Sequence, residues 1–451
     1  MVLGRQDFVT VIRNAVAGVG LAPDIAMVVF PIDLFLVESD VGQVAHEADR
    51  FVDGLTRWRS AQSRTASREL PMLKVEGSDQ LATFSEFNAM CIRRRWGDGL
   101  PLVPPTEDRV SWILRGTNLR RDNVVGKFMP RGGIVTMETL AIALAMAGGR
   151  PEYLPLLHAA VQAILDPALE HEGWQATSSS TFPVVVVNGP MAREIRLNAG
   201  FGLLGPDPQH PAGASIGRAI RLLQQNVGGA LPGTGTMAMF GAMRYTNAVF
   251  AEDEEGLPPG WEPFNVGYMG YAKGVDSVAV NVASGADNII RRGVGSETLD
   301  FEATSSLVRI ATYMKSHNAN SLPAHRTGTP GILLISRTVA NQLAALGWSK
   351  RSIQEYLWEH SRIARGDLER SGMVAWMEHR DAGRMDEDPW PITNAPENIA
   401  IVVAGGSHPT HAFWMQTSIA RKMTGAEIKR PAQWPALVAS GAHELGYDAA
   451  G

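Results

Sequence analysis

Four side chains carry most of the chemistry this sequence offers: Arg95, Asp98, Glu252 and His408. Arg95 and Asp98 belong to the stretch Ile92-Arg-Arg-Arg-Trp-Gly-Asp-Gly-Leu-Pro-Leu-Val-Pro-Pro-Thr106. Asp98 stands between two glycines, where the backbone bends freely and can approach a ligand closely. Each proline fixes its own φ and pushes the residue before it out of the helical region, so the loop is stiff. Arg95 and Asp98 are therefore expected to line a pocket or a seam between domains. Glu252 follows the apolar Ala248-Val-Phe-Ala251 and opens the acidic run Glu252-Asp-Glu-Glu255. Such a run suits a general base or a divalent cation, although acidic runs more often form solvated loops. His408-Pro-Thr-His411 follows Ala404-Gly-Gly406, and histidines at a strand end suit acid–base work or a metal. Pro409 forbids a regular helical face and no third ligand is evident from spacing, so no metal site is assigned.

A second set of residues suits binding rather than reaction: Arg131, Gly132, Gly133, Asn188, Arg218, Gly405 and Gly406. Glycine-rich loops beside helix starts cradle anions through backbone N–H groups. Pro211-Ala-Gly-Ala-Ser215 opens a helix that carries Arg218 and Arg221. Arg131 and Arg218 are expected to converge on one carboxylate or phosphate. Tight turns and close helix packing account for any single glycine loop equally well. There is no phosphate loop, no convincing Gly-x-Gly-x-x-Gly after a first strand and no Gly-x-Ser-x-Gly elbow, so the cofactor stays open. His171-Glu-Gly-Trp174 reads either as a pocket wall or as a loop packed under Trp174. Cys91 sits near three arginines that would favour its thiolate, but its helix pattern points to a buried, inert thiol.

These residues need elements to hold them. Helices are expected at Asp7–Ala17, Val41–Trp58, Gln80–Arg95, Leu140–Ala147, Leu154–Leu165, Ala214–Val227, Val339–Leu346 and Ser349–Arg362. Apolar strands are expected at Ile25–Phe30, Pro183–Asn188, Val278–Val282, Ile332–Ile335 and Ile399–Val403. The charged, proline-containing segment 380–396 reads as a surface loop. Helices alternate with single strands, which argues for an α/β fold: a partial Rossmann-like N-terminal module and a large mixed α/β body. The expected division is 1–60, a polar linker at 61–77 and the body at 78–451. One strand with two helices cannot make a sheet, so Ile25–Phe30 is expected to pair with another chain or with the body.

The chain has 451 residues, 45% hydrophobic and 19% charged, with a net charge of −5. This is globular composition without a general field for nucleic acid. No apolar stretch approaches bilayer length, so no membrane partner is expected. One cysteine excludes an internal disulfide framework and fits a reducing cytoplasm.

Several segments together resemble a large bacterial family related to the UGSC (seleno)proteins. They are Trp96-Gly-Asp-Gly-Leu-Pro-Leu-Val-Pro-Pro-Thr106, Pro130-Arg-Gly-Gly133, Ala147-Gly-Gly-Arg-Pro-Glu-Tyr-Leu-Pro155 and Val187-Asn-Gly-Pro190. They continue with Ala214-Ser-Ile-Gly-Arg-Ala-Ile-Arg-Leu222, Asn226-Val-Gly-Gly229, Phe250-Ala-Glu-Asp-Glu254, Gly347-Trp-Ser-Lys350 and Val403-Ala-Gly-Gly406. Residues 1–60 resemble the C-terminal half of the UGSC domain. The reactive Cys or Sec of that domain lies in the half this chain does not contain, and Gly149 and Arg150 stand where relatives often carry a Cys. The resemblance implies an enzyme-like α/β body with loops gathered around a site. With the orphan strand Ile25–Phe30 and the arginines above, it leads to the expectation of the large subunit of a heteromeric enzyme acting on a small carboxylate-bearing molecule. A small companion subunit would complete the N-terminal module and supply the thiol. Two alternatives stay open: a self-contained enzyme of lyase or hydrolase type using the Arg, Asp, Glu and His residues above, and a non-catalytic binding or scaffold subunit.

Overall fold

A computed structural model of the chain describes residues 1–18, 24–35, 39–59, 72–241, 243, 246–291, 298–315, 328–374, 387–417 and 422–447. The expected linker falls mostly outside these residues. The N-terminal module is a β-α-β unit. Strand β1 (Val2–Arg5) leads through the helix Val9–Gly18 to β2 (Met27–Phe30). The two strands pair in parallel, from Val2 opposite Met27 to Arg5 opposite Phe30. The expectation that β2 must borrow its pairing strand from another chain or from the body is therefore corrected. Four residues at the start of the chain supply it, too short a run and too broken by Gly4 to stand out in the sequence. Nor is β2 covered on both faces. Val28 and Phe30 are buried with Val11 and Val16, while Met27 and Val29 are half-buried. The helix expected at Val41–Trp58 forms as two pieces, Gly42–Ala45 and Ala48–Thr56, and neither buries a residue.

The body is built on one curled, mixed sheet. Its strands are β5 (Phe182–Asn188), β6 (Ala248–Ala251), β7 (Ser277–Ile290), β8 (Gly331–Ile335), β9 (Ala400–Val403), β10 (His411–Thr417) and β11 (Thr424–Glu427). The order is β6-β5-β7-β10-β8-β9, with β11 on the free edge of the first half of β7. A separate hairpin joins β3 (Val124–Phe128) and β4 (Gly133–Thr136). The curled sheet has two halves of like construction. In one, β5 runs through the helix Pro211–Asn226 to a parallel β6 and pairs antiparallel with β7. In the other, β8 runs through the helices Arg337–Ala345 and Lys350–His360 to a parallel β9 and pairs antiparallel with β10. β7 and β10 join the halves antiparallel.

Strand side chains alternate between two faces, and here the alternation divides the core. Val184, Val186, Ala248, Phe250, Ile332, Leu334, Ala400 and Val402 share one inner cluster inside the curl. Val185, Val187, Val249 and Ala251 instead join the helices Met137–Met146, Leu154–Ile164 and Pro211–Asn226. Leu333, Ile335, Ile401 and Val403 join the helices Leu299–Met314, Arg337–Ala345 and Lys350–His360. The curl brings its outer edges together just beyond the ends of β6 and β9. There Asp253 N–H donates to the Val403 carbonyl at 2.8 Å, and Gly405 N–H donates to the Ala199 carbonyl at 2.8 Å. Within 380–396 the surface-loop expectation fails at Trp390–Thr393, which are buried; 375–386 lie outside the described residues.

Candidate functional site

Glu252 lies at that closure. It is the first residue after β6, and its side chain has no solvent exposure. Oε1 accepts from Lys350 Nζ at 3.0 Å and from Val403 N–H at 3.4 Å. Oε2 accepts from Asn188 Nδ2 at 2.8 Å and from Phe264 N–H. Four donors match the lone-pair capacity of an ionised carboxylate. Glu252 is therefore a sealed acceptor with all its sites engaged, not a base open to substrate. Asn188, at the end of β5, shares its amide between Glu252 and Glu254.

The solvated-loop reading holds only for Glu255, which is exposed and pairs with exposed Arg193. Asp253 is half-buried and forms a two-pronged pair with Arg337 at 2.7 Å on each prong. Glu254 is half-buried and accepts from Asn188 and from Gly189 N–H. Glu252 and Asp253 tie the two halves of the sheet together through Lys350, Val403 and Arg337.

The partner of Glu252 is what reaches solvent. Lys350 is the first residue of its helix and is 19% exposed at the side chain. Besides Glu252, its ammonium donates to the Glu262 carbonyl at 2.8 Å. An ammonium has three donors, so one hydrogen is left for a ligand. It faces a cleft of about 1000 Å³ whose walls include Trp261, Phe264, Tyr268, Thr329, Gln354 and Lys422. Tyr268 stacks on Phe264 with ring centroids 4.8 Å apart. Its hydroxyl pairs with Thr329 Oγ1 at 2.7 Å and donates to the Asn398 carbonyl at 3.0 Å. Burial pushes the Tyr268 phenol up to about 12, so it stays protonated at neutral pH. Sequence reasoning did not name Lys350 as a site residue. The signal was present: a cation at the first position of a helix opposes the positive N-terminal dipole, so something other than local helix stability keeps it there.

The other expected residues fall in three separate places. Asp98 is nearly buried and makes a two-pronged pair with Arg218, at 2.7 Å and 3.0 Å. Burial acts to raise its pKa, but the hydrogen bonds and charge of Arg218 outweigh this and hold the carboxyl below its usual value. Arg218 also donates to the Pro101 carbonyl at 2.9 Å, and Gln225 donates to the Gly97 carbonyl at 2.7 Å. The loop is thus riveted to the helix Pro211–Asn226. Asp98 is thus clamped inside the body rather than in a seam between domains, and Arg95 is exposed, with a left-handed backbone at φ 57°.

Arg131 and Arg218 do not converge. Arg131 is exposed, and its N–H donates to the Gly228 carbonyl just past the C-terminus of that helix. Gly228 lies ten residues beyond Arg218, or about 15 Å along a helix axis. Gly133 serves packing, because a Cβ there would come within 2.1 Å of the Val227 carbonyl oxygen.

Gly405, at φ 97°, helps close the sheet, and a Cβ on Gly406 would strike the Phe201 ring. His408 is exposed, with its Nδ1 3.0 Å from that of His411 and 2.9 Å from Thr410 Oγ1. Its carbonyl accepts from Ser336 at 2.6 Å. No group of three or more metal-ligating side chains occurs among the described residues. Cys91 is 2% exposed, and burial pushes its thiol up, which agrees with the inert reading. His171 and Trp174 are core residues, with rings meeting edge-on at 5.2 Å. No helix among the described residues is long and apolar enough to cross a membrane.

No known family, curated protein or solved structure matches the chain.

Proposed function

We propose that the chain is an enzyme that binds a small carboxylate-bearing molecule in the cleft over Lys350. One observation carries the reading: an ammonium fixed by a fully buried carboxylate, with a donor left over, in the wall of a cleft large enough for a small molecule. Pairing with Glu252 aims the Lys350 ammonium, so its free hydrogen is preorganised for an anionic oxygen. Tyr268, kept protonated, adds a neutral hydroxyl on the same wall. Lys350 is the group placed to touch substrate and to donate a proton in a lyase- or hydrolase-type step. Glu252 and Asn188 position it.

The test is acylation of lysines by a small activated ester, read by mass spectrometry with and without a panel of mono- and dicarboxylates. A carboxylate that binds as proposed slows labelling of Lys350 and leaves exposed Lys127 and Lys429 unaffected. If no carboxylate protects Lys350 selectively at millimolar concentration, the reading is wrong.

A second reading, that a companion chain completes the N-terminal module and brings a thiol, has its own support. In the helix Ala48–Thr56, Val52 and Leu55 are 52% and 70% exposed. A two-stranded sheet is also marginal alone. A pull-down from native host cells should recover a small second polypeptide that binds the full chain and is lost when Leu55 becomes Glu. A chain purified alone that is active on its substrate would contradict it.

A further inference from the structure

Three sequence segments that the Lys350 cleft does not use meet elsewhere, around a groove of about 650 Å³. The rigid loop contributes Thr106, and the next helix, Glu107–Leu114, adds Arg109 and Trp112. The glycine pair after Met146 leads to Gly148 and Arg150, and the helix Pro211–Asn226 presents Pro211 and Ser215. The groove has two unused side-chain donors. Arg109 is the first. Its guanidinium sits 5.4 Å from the Trp112 ring centre, and its one hydrogen bond is a long one, 3.4 Å, to the Gly149 carbonyl. Its Nε is buried without a hydrogen-bond partner, and among the described residues no carboxylate pairs with the guanidinium. The second is Ser215 on the helix Pro211–Asn226, whose hydroxyl makes no hydrogen bond among the described residues.

The acids around the groove do not answer these donors. Glu152 and Glu444 are both taken by Arg150. Asp108, in the first turn of its helix, also lines the groove, but it is exposed and makes no ion pair with Arg109. Arg109 also faces a second cation, because Arg150 lies 5.4 Å from the same indole. A buried donor that lacks an acceptor calls for one.

We propose that this groove is a second ligand site, which holds the oxyanion group, carboxylate or phosphate, of a small molecule between Arg109 and Ser215. A guanidinium short of acceptors and a free hydroxyl both fit such an oxyanion. The site does not depend on the Lys350 reading.

Isothermal titration of the full chain with inorganic phosphate and, separately, with malonate tests it. Binding of one or both is expected, and the stronger tells a phosphate ligand from a carboxylate one. Arg109→Gln should weaken the better probe by about tenfold or more, as expected for a lost charged hydrogen bond. Arg109→Lys, which keeps the charge and loses the fork, should fall between. Lys127→Gln, at an exposed lysine that lines neither pocket, should bind the probe as the wild type does. Failure of both probes to bind at millimolar concentration overturns the proposal. So does an Arg109→Gln protein that stays folded by circular dichroism and binds unchanged. Loss of binding in Lys350→Met with Arg109→Gln unaffected would move the anion to the first cleft and also overturn it.

Discussion

At the scale of single residues, two buried carboxylates have different tasks. Glu252 has four donors and no solvent, so its charge depends on Lys350 and on the three neutral donors. Breaking a buried pair from one side leaves a charge stranded, at a cost of about 3–5 kcal/mol. Lys350→Met should therefore unfold at markedly lower denaturant than the wild type. Adding Glu252→Gln to it should restore part of the loss, because the stranded charge is gone. Urea unfolding of the two single variants and the double variant measures the coupling; strict additivity would show that the pair does not interact. Asp98 is the other case. Its folded pKa is depressed, so its contribution to stability is present above the unfolded value near 3.9 and is lost as pH falls through the folded value. Asp98→Asn should lower stability at neutral pH and flatten the stability curve below about pH 4. An unchanged acid limb would remove the Arg218 clamp from the account.

At the scale of elements, packing dictates several residues that look functional in the sequence. Gly133 is one. A methyl group there meets the Val227 carbonyl, so Gly133→Ala should cost about 1–3 kcal/mol by overpacking. A Gly133→Ala protein as stable as the wild type would return this glycine to the anion-cradle reading. His171 is another. It is buried between Phe128 and Trp174, and burial lowers its pKa to about 3. The folded state holds it neutral while the unfolded chain protonates it below about 6.5, so its effect on stability is absent above that pH. Stability falls as the pH drops from there toward 3. His171→Phe should make the stability between pH 6.5 and 4 less dependent on pH than in the wild type, as read by thermal unfolding across that range.

These cases show why the sequence was legible in parts. Runs such as Pro183–Val187 and Ile332–Ile335 are apolar at every position because the inside of the curl covers one face and helices cover the other, and they read directly as strands. β1 and β11 are only four residues long, and β10, although it buries Ala412, Trp414 and Met415, interleaves them with polar residues, so all three escaped notice. Asp98 and Arg218 were visible as charged residues, but their pairing across 120 positions was not. Lys350 stood in plain view and needed its partner, 98 positions away, to gain meaning.

At the scale of the whole molecule, two similarly built halves close one sheet, and the closure places a charged pair beneath a cleft. The central claim is that Lys350 turns this closure into a binding site for a carboxylate. The most direct measurement is calorimetric titration of the best carboxylate from the protection panel into wild type and into the Lys350→Met/Glu252→Gln double variant, each confirmed folded at the temperature used. Removal of Lys350 deletes a charge-assisted hydrogen bond worth about 1.5–3 kcal/mol. The account predicts binding to the wild type and a loss of about tenfold to a hundredfold in the double variant. Equal affinity for the two folded proteins would contradict it.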